Sequence, residues 1–133
     1  MVYKKVILKK GKDESLKRFH PWVFSGAIDS IEENLEEGDA VSVFSHEGRH
    51  IGNGHYQIGS ICVRILTWGD GCIDENFYAE RVQAALNLRK SLSLLREDNN
   101  AFRLVHGEGD FLPGLVVDVY GSTAVLQAHS PGM

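Results

Sequence analysis

The sequence predicts a mainly β fold interrupted by one long helix, and three features predict it. The first half carries short alternating or β-branched runs at near-regular spacing, broken by Gly- and acid-containing turns, the pattern of a small barrel or sandwich. The hydrophobic period then changes from two to 3.6 after Asp74. Strand-like runs return between Ala101 and Ala128.

Residues 2–8 (VYKKVIL) are rich in β-branched residues and read as a strand that Gly11 ends. Residues 13–19 read as a short helix: Asp13 and Glu14 open it and Lys17 and Arg18 close it, matching the helix dipole. His20 precedes Pro21 and so leaves the helical region. Strands are expected over residues 23–31, 40–44, 50–57 and 60–68. In the last of these Ile61, Val63 and Ile65 share one face, and Cys62, Arg64 and Leu66 the other. Trp22 opens the apolar run WVF and is expected in the core.

Asp74 is the expected N-cap of the long helix, in which Tyr78, Val82, Ala85, Leu86 and Leu92 fall at helical spacing, with Phe77, Leu88 and Leu95 on the shoulder. Arg81 and Arg89 lie inside that apolar sector. Their stems are expected to pack at the core edge, an RNA or interdomain contact being the alternative. After the polar break at residues 97–100, strands are expected over 101–106, 115–120 and 122–128, with Leu112-Pro113-Gly114-Leu115 as a type II turn. The chain stops at Met133 directly after a strand, which implies a truncated second domain.

Composition excludes several classes. With 43% hydrophobic and 24% charged residues, 14 Gly and 3 Pro in 133 residues, the chain is neither disordered nor collagen-like. No apolar run approaches the ~18 residues of a membrane helix, and the N-terminus lacks a signal-peptide pattern, so a cytoplasmic location is expected. Cys62 and Cys72 do not form a C-x-x-C pair, so no metal is expected, and each reads as a small half-buried hydrophobe.

The net charge of −4 hides a polar division. Residues 1–22 hold seven Lys and Arg against Asp13 and Glu14, a net +5. Residues 23–47 hold seven acids and no base, a net −7. On charge alone these are two solvated faces that attract each other.

Glycine-rich phosphate loops fail on spacing. Gly52-Asn53-Gly54 is followed by Gln57, and Gly107-Glu108-Gly109 by Leu112, where a third glycine is required. His106, Glu108 and Asp110 alternate as ligands might, but sit among glycines that favour a turn. The strongest signal is Lys9-Lys10-Gly11-Lys12 leading through Arg18 to His20-Pro21-Trp22. Lys and Arg can grip phosphates, glycine permits close approach, and an imidazole or indole can stack on bases. Lys9, Lys10, Lys12, Arg18 and His20 are therefore the candidate RNA-binding residues.

Three blocks carry a resemblance: KKGKDESLKRFHPWVFSGAI (9–28); GDAV (38–41) with GNGHY (52–56) and VRIL (63–66); and RLVHGEGDFLPGLVVDVY (103–120). They resemble the PUA-containing ribosomal RNA large-subunit methyltransferases, the RlmI-like cytosine-C5 family. The resemblance implies a PUA-type β pseudo-barrel over residues 1–70, a connecting helix over 71–100, and the start of a central β-rich domain over 101–133. In that family S-adenosylmethionine binds a separate C-terminal domain, where a cysteine attacks C6 of the target cytosine. Neither Cys62 nor Cys72 lies in a matching motif, so no catalytic or cofactor residue is carried over and the segment alone is expected to be inactive. The implied partner is ribosomal RNA, with neither DNA nor membrane, and the edge of the last hairpin offers pairing with a second copy in a homodimer. The rival reading is a stand-alone, non-enzymatic PUA-type RNA-binding or ribosome-associated module; a third is a protein-interaction domain without nucleic acid.

Overall fold

A computed structural model describes residues 2–133, which fall into two compact units, residues 2–73 and 74–131. The first unit runs β1 (Lys4–Leu8), α1 (Glu14–Lys17), β2 (Trp22–Phe24), a 3-10 turn (Ser25–Ala27), β3 (Ile28–Ile31), β4 (Ala40–Phe44), β5 (His50–Tyr56) and β6 (Ile61–Trp68). These strands form one six-stranded sheet in the order β2-β6-β5-β4-β1-β3. β1 and β4 are parallel, and the other pairs are antiparallel.

That order forces the sheet to curl. β2 and β3 lie at opposite edges of the six strands yet are joined only through the turn Ser25–Ala27. Five inter-strand steps of ~4.8 Å would separate the edges of a flat sheet by ~24 Å, whereas the four steps from Phe24 to Ile28 reach at most ~14 Å. Closure is secured by Ser25 N–H donating to the Ser60 carbonyl and Lys9 N–H to that of Ala27, both at 2.8 Å. The strand expected over residues 23–31 is therefore two strands, divided where the chain crosses from one sheet edge to the other.

Alternation fills the interior. Val6 and Leu8, Val41 and Val43, and Val63 and Ile65 point inward from their strands, joined by Val23, Ile51 and Leu16 of α1. Gly52 and Gly54 lie within β5, not in a phosphate loop. A Cβ on Gly54 would sit 2.9 Å from Ile65 Cα and 2.8 Å from the Arg64 carbonyl carbon, so glycine lets β5 and β6 approach at their bulge. Between them, buried Asn53 accepts from Ser42 Oγ at 2.6 Å and donates to the Gly71 carbonyl at 2.7 Å.

The second unit contains α2 (Glu75–Ser91), β7 (Ala101–His106), a 3-10 turn (Gly107–Asp110), β8 (Leu115–Tyr120) and β9 (Thr123–Ala128), the strands forming an antiparallel sheet in the order β7-β8-β9. Asp74 caps α2 by accepting from Phe77 N–H at 2.8 Å. Phe77, expected on the shoulder, is buried with Ala85, whereas Leu92 lies just past the helix end and is exposed. The type II turn forms: Leu115 N–H donates to the Leu112 carbonyl at 3.0 Å, with Gly114 at φ +93°. Of the two cysteines, Cys62 is buried, which pushes its thiol pKa up, while Cys72 is exposed, contrary to expectation. No helix among the described residues is long and apolar enough to cross a membrane.

Arg81 and Arg89 pack at the core edge. Arg81 lies over the Phe77 and Phe111 rings, at 5.2 and 5.5 Å from their centroids. Arg89 forms a two-pronged ion pair with buried Asp110, whose carboxylate also accepts from His106 N–H at 2.6 Å. Asp110 is thus engaged by Arg89 of α2 and by the His106 amide. Burial raises its pKa, but the hydrogen bonds from Arg89 and His106 N–H and the Arg89 charge outweigh that, leaving it below the usual carboxylate range. A depressed folded-state pKa contributes stability above the unfolded value of about 4, and that contribution is lost as pH falls through the folded one. Asp110→Asn should accordingly cost on the order of 3 kcal/mol in chemical denaturation at pH 7, with a smaller difference from the parent chain at pH 3.

Candidate nucleic-acid interface

The cationic front end is built on the exit from β1. Lys12 N–H donates to the Lys9 carbonyl at 3.1 Å, closing a turn in which Gly11 adopts φ +75° with open space around it. Lys9, Lys10 and Lys12 are exposed around this turn. The turn lies beside Ser25–Ala27, because the Lys9 amide bonds to Ala27. Asp13 and the four residues of α1, about 6 Å of helix, separate it from Arg18, the exposed C-cap.

Ion pairing divides the cations of this unit. Lys4 reaches Asp39 at 3.3 Å; Lys17 reaches Glu14 at 3.1 Å and Asp13 at 3.5 Å; Arg49 reaches Asp13 at 3.4 Å. The hydrogen bond from Lys17 to Glu14, then the charge of Asp13, raises the Lys17 pKa. Lys9, Lys10, Lys12 and Arg18 enter no ion pair among the described residues. Of the acidic stretch, Asp39 alone forms an ion pair with the basic one among the described residues, through Lys4, while Glu32 accepts from the Lys5 N–H at 2.9 Å. Contact between the two faces that were expected to attract each other includes these two points.

An aromatic row continues from the cations. His20 is exposed, accepts from Trp22 N–H through Nδ1 at 3.3 Å, and meets the Trp22 ring edge-on at 5.4 Å. Trp22 in turn meets exposed Phe24 at 6.3 Å. Trp22 is therefore not a core residue. Successive strand residues face opposite sides, and Val23 takes the inward position, leaving Trp22 and Phe24 together on the outside. Phe19, which sequence reasoning passed over, is 69% exposed at φ +62° and stands edge-on to Trp68 at 5.3 Å. The signal for it is a phenylalanine directly after the last basic residue of a helix, where glycine is preferred.

The two glycine pairs do not form the glycine-rich strand-to-helix loop that cradles an adenosine cofactor: Gly52 and Gly54 lie in β5, and Gly107 and Gly109 lie in a 3-10 turn.

Residues 6–68 match the family model described as a PUA-like domain. Over 129 residues, 96% of the chain, the sequence is 43% identical to ribosomal RNA large subunit methyltransferase I of Alteromonas mediterranea, covering 32% of that protein. It is 38% identical over 130 residues to the protein of that name from Erwinia tasmaniensis, covering 33% of it. The chain spans about a third of the length of these two proteins that it matches. A solved Streptococcus mutans protein classed among the SAM-dependent methyltransferases superposes with a TM-score of 0.79 at 17% identity, over 99% of this chain and 34% of its own, which shows a shared fold.

Because Lys10 and Lys12 make no ion pair among the described residues, the double charge reversal Lys10→Glu/Lys12→Glu should shift the urea midpoint by no more than a change of about 0.5 kcal/mol implies. A loss of several kcal/mol would reveal a structural role for these ammonium groups.

Proposed function

We propose that this chain is the RNA-docking part of an S-adenosylmethionine-dependent ribosomal RNA methyltransferase acting at cytosine C5. In this reading the PUA-like unit holds structured ribosomal RNA, α2 connects it onward, and β7–β9 begin a second domain. Donor binding and methyl transfer belong to a catalytic domain elsewhere in the longer protein, and the protein works in the cytoplasm. The observation that carries the reading is a group of four exposed cations without ion pairs among the described residues, Lys9, Lys10, Lys12 and Arg18, close in sequence to the exposed aromatics His20 and Phe24 on a PUA-like domain; Lys5, also exposed, lies over the Phe44 ring instead. Phosphate and 2′-hydroxyl contacts from Lys10, Lys12, Arg18 and His20 position the RNA without reacting with it. The free edge of β9 is where a second copy would pair.

Four phosphate contacts imply a log–log salt slope of about −3, at roughly 0.7 per single-strand phosphate. Fluorescence anisotropy with a structured fragment of large-subunit ribosomal RNA should give that slope, and the Lys10→Glu/Lys12→Glu variant should make it shallower. Salt-independent binding would remove the electrostatic grip. Titration calorimetry of this chain with S-adenosylmethionine should show no binding; tight binding would contradict the division of labour.

A further inference from the structure

A cleft of about 330 Å³ opens beside the aromatic pair Phe19 and Trp68. Leu16 and Ile51 form its apolar lining, while Lys17 and Arg49 also border it. Its volume is near the lower end of small-ligand sites, about 300–1,000 Å³, the scale of a single nucleotide. Phe19 holds a left-handed backbone conformation and leaves more than half of its surface in water, although glycine would take that conformation freely; its ring meets the Trp68 ring edge-on.

We infer that this cleft receives one unpaired nucleotide of the docked RNA, its base stacking on Phe19 beside Trp68. The inference rests on the RNA-docking reading and adds a recognition element to it: preference for a duplex interrupted by an extruded base. Base–aromatic stacking tolerates any base, so the site reads the presence of an unpaired nucleotide, not its identity. The phosphate contact falls to Arg18. Lys17 and Arg49 share Asp13 at 3.5 and 3.4 Å and are already partly neutralised, whereas Arg18, adjacent to Phe19, is exposed and without an ion pair among the described residues.

Two hairpin RNAs test it, identical except that one carries a single bulged 2-aminopurine. The parent chain should bind the bulged hairpin about ten-fold more tightly, the scale of one base–aromatic stack, and should quench the 2-aminopurine. Phe19→Gly suits the backbone at this exposed position and should abolish the preference and the quenching while leaving affinity for the unbroken hairpin unchanged. Phe19→Tyr should restore both. Binding of both hairpins with no preference in the parent chain, or a preference and quenching that persist in Phe19→Gly, overturns the inference and leaves RNA docking standing. Failure of the parent chain to bind either hairpin overturns the docking reading, and this inference with it.

Discussion

The closure of the six-stranded sheet is the constraint on which the rest of the first unit depends. Because Ser25–Ala27 must connect opposite sheet edges, β2 is pinned against β6 and β3 against β1, and the inward faces have no choice but to enclose Val6, Leu8, Val23, Val41, Val43, Val63 and Ile65. The same closure brings the β1 exit against the 3-10 turn through Lys9 and Ala27. A lysine turn, a one-turn helix and an outward aromatic row thereby become neighbours on one small domain. The candidate interface is a consequence of how the sheet closes, not an addition to it.

Electrostatics then decides which cations are available. Buried Asp13 takes Lys17 and Arg49, and Asp39 takes Lys4, so the carboxylates nearest the front end are spent on residues outside the KKGK turn. Exposed ion pairs contribute little to stability, so leaving Lys9, Lys10, Lys12 and Arg18 without one costs the fold almost nothing. What it leaves is a surface where positive charge faces solvent despite a net charge of −4 for the chain.

Features set by neighbouring residues were legible in the sequence. Asp74 caps α2, and Leu112-Pro113-Gly114-Leu115 makes its turn, because both are short-range hydrogen-bond patterns. The division of residues 23–31 was not legible, since Ser-Gly-Ala suits a strand as well as a turn until long-range closure selects. The apolar run WVF was read as core, but within β2 Trp22 and Val23 take opposite faces, and it is the smaller Val23 that faces inward. The cations of the site were legible as a charge pattern. Their freedom from ion pairs was not, because it depends on where the fold puts Asp13 and Asp39. Phe19 escaped notice because its exposure follows from a left-handed helix end that composition does not disclose.

Amide chemical-shift mapping of the ¹⁵N-labelled chain during titration with a structured fragment of large-subunit ribosomal RNA tests the central claim most directly. Shifts concentrated at residues 9–12 and 18–24 are the expected result. Shifts confined to the acidic residues 29–39 or to β9, with residues 9–24 unmoved, would contradict it.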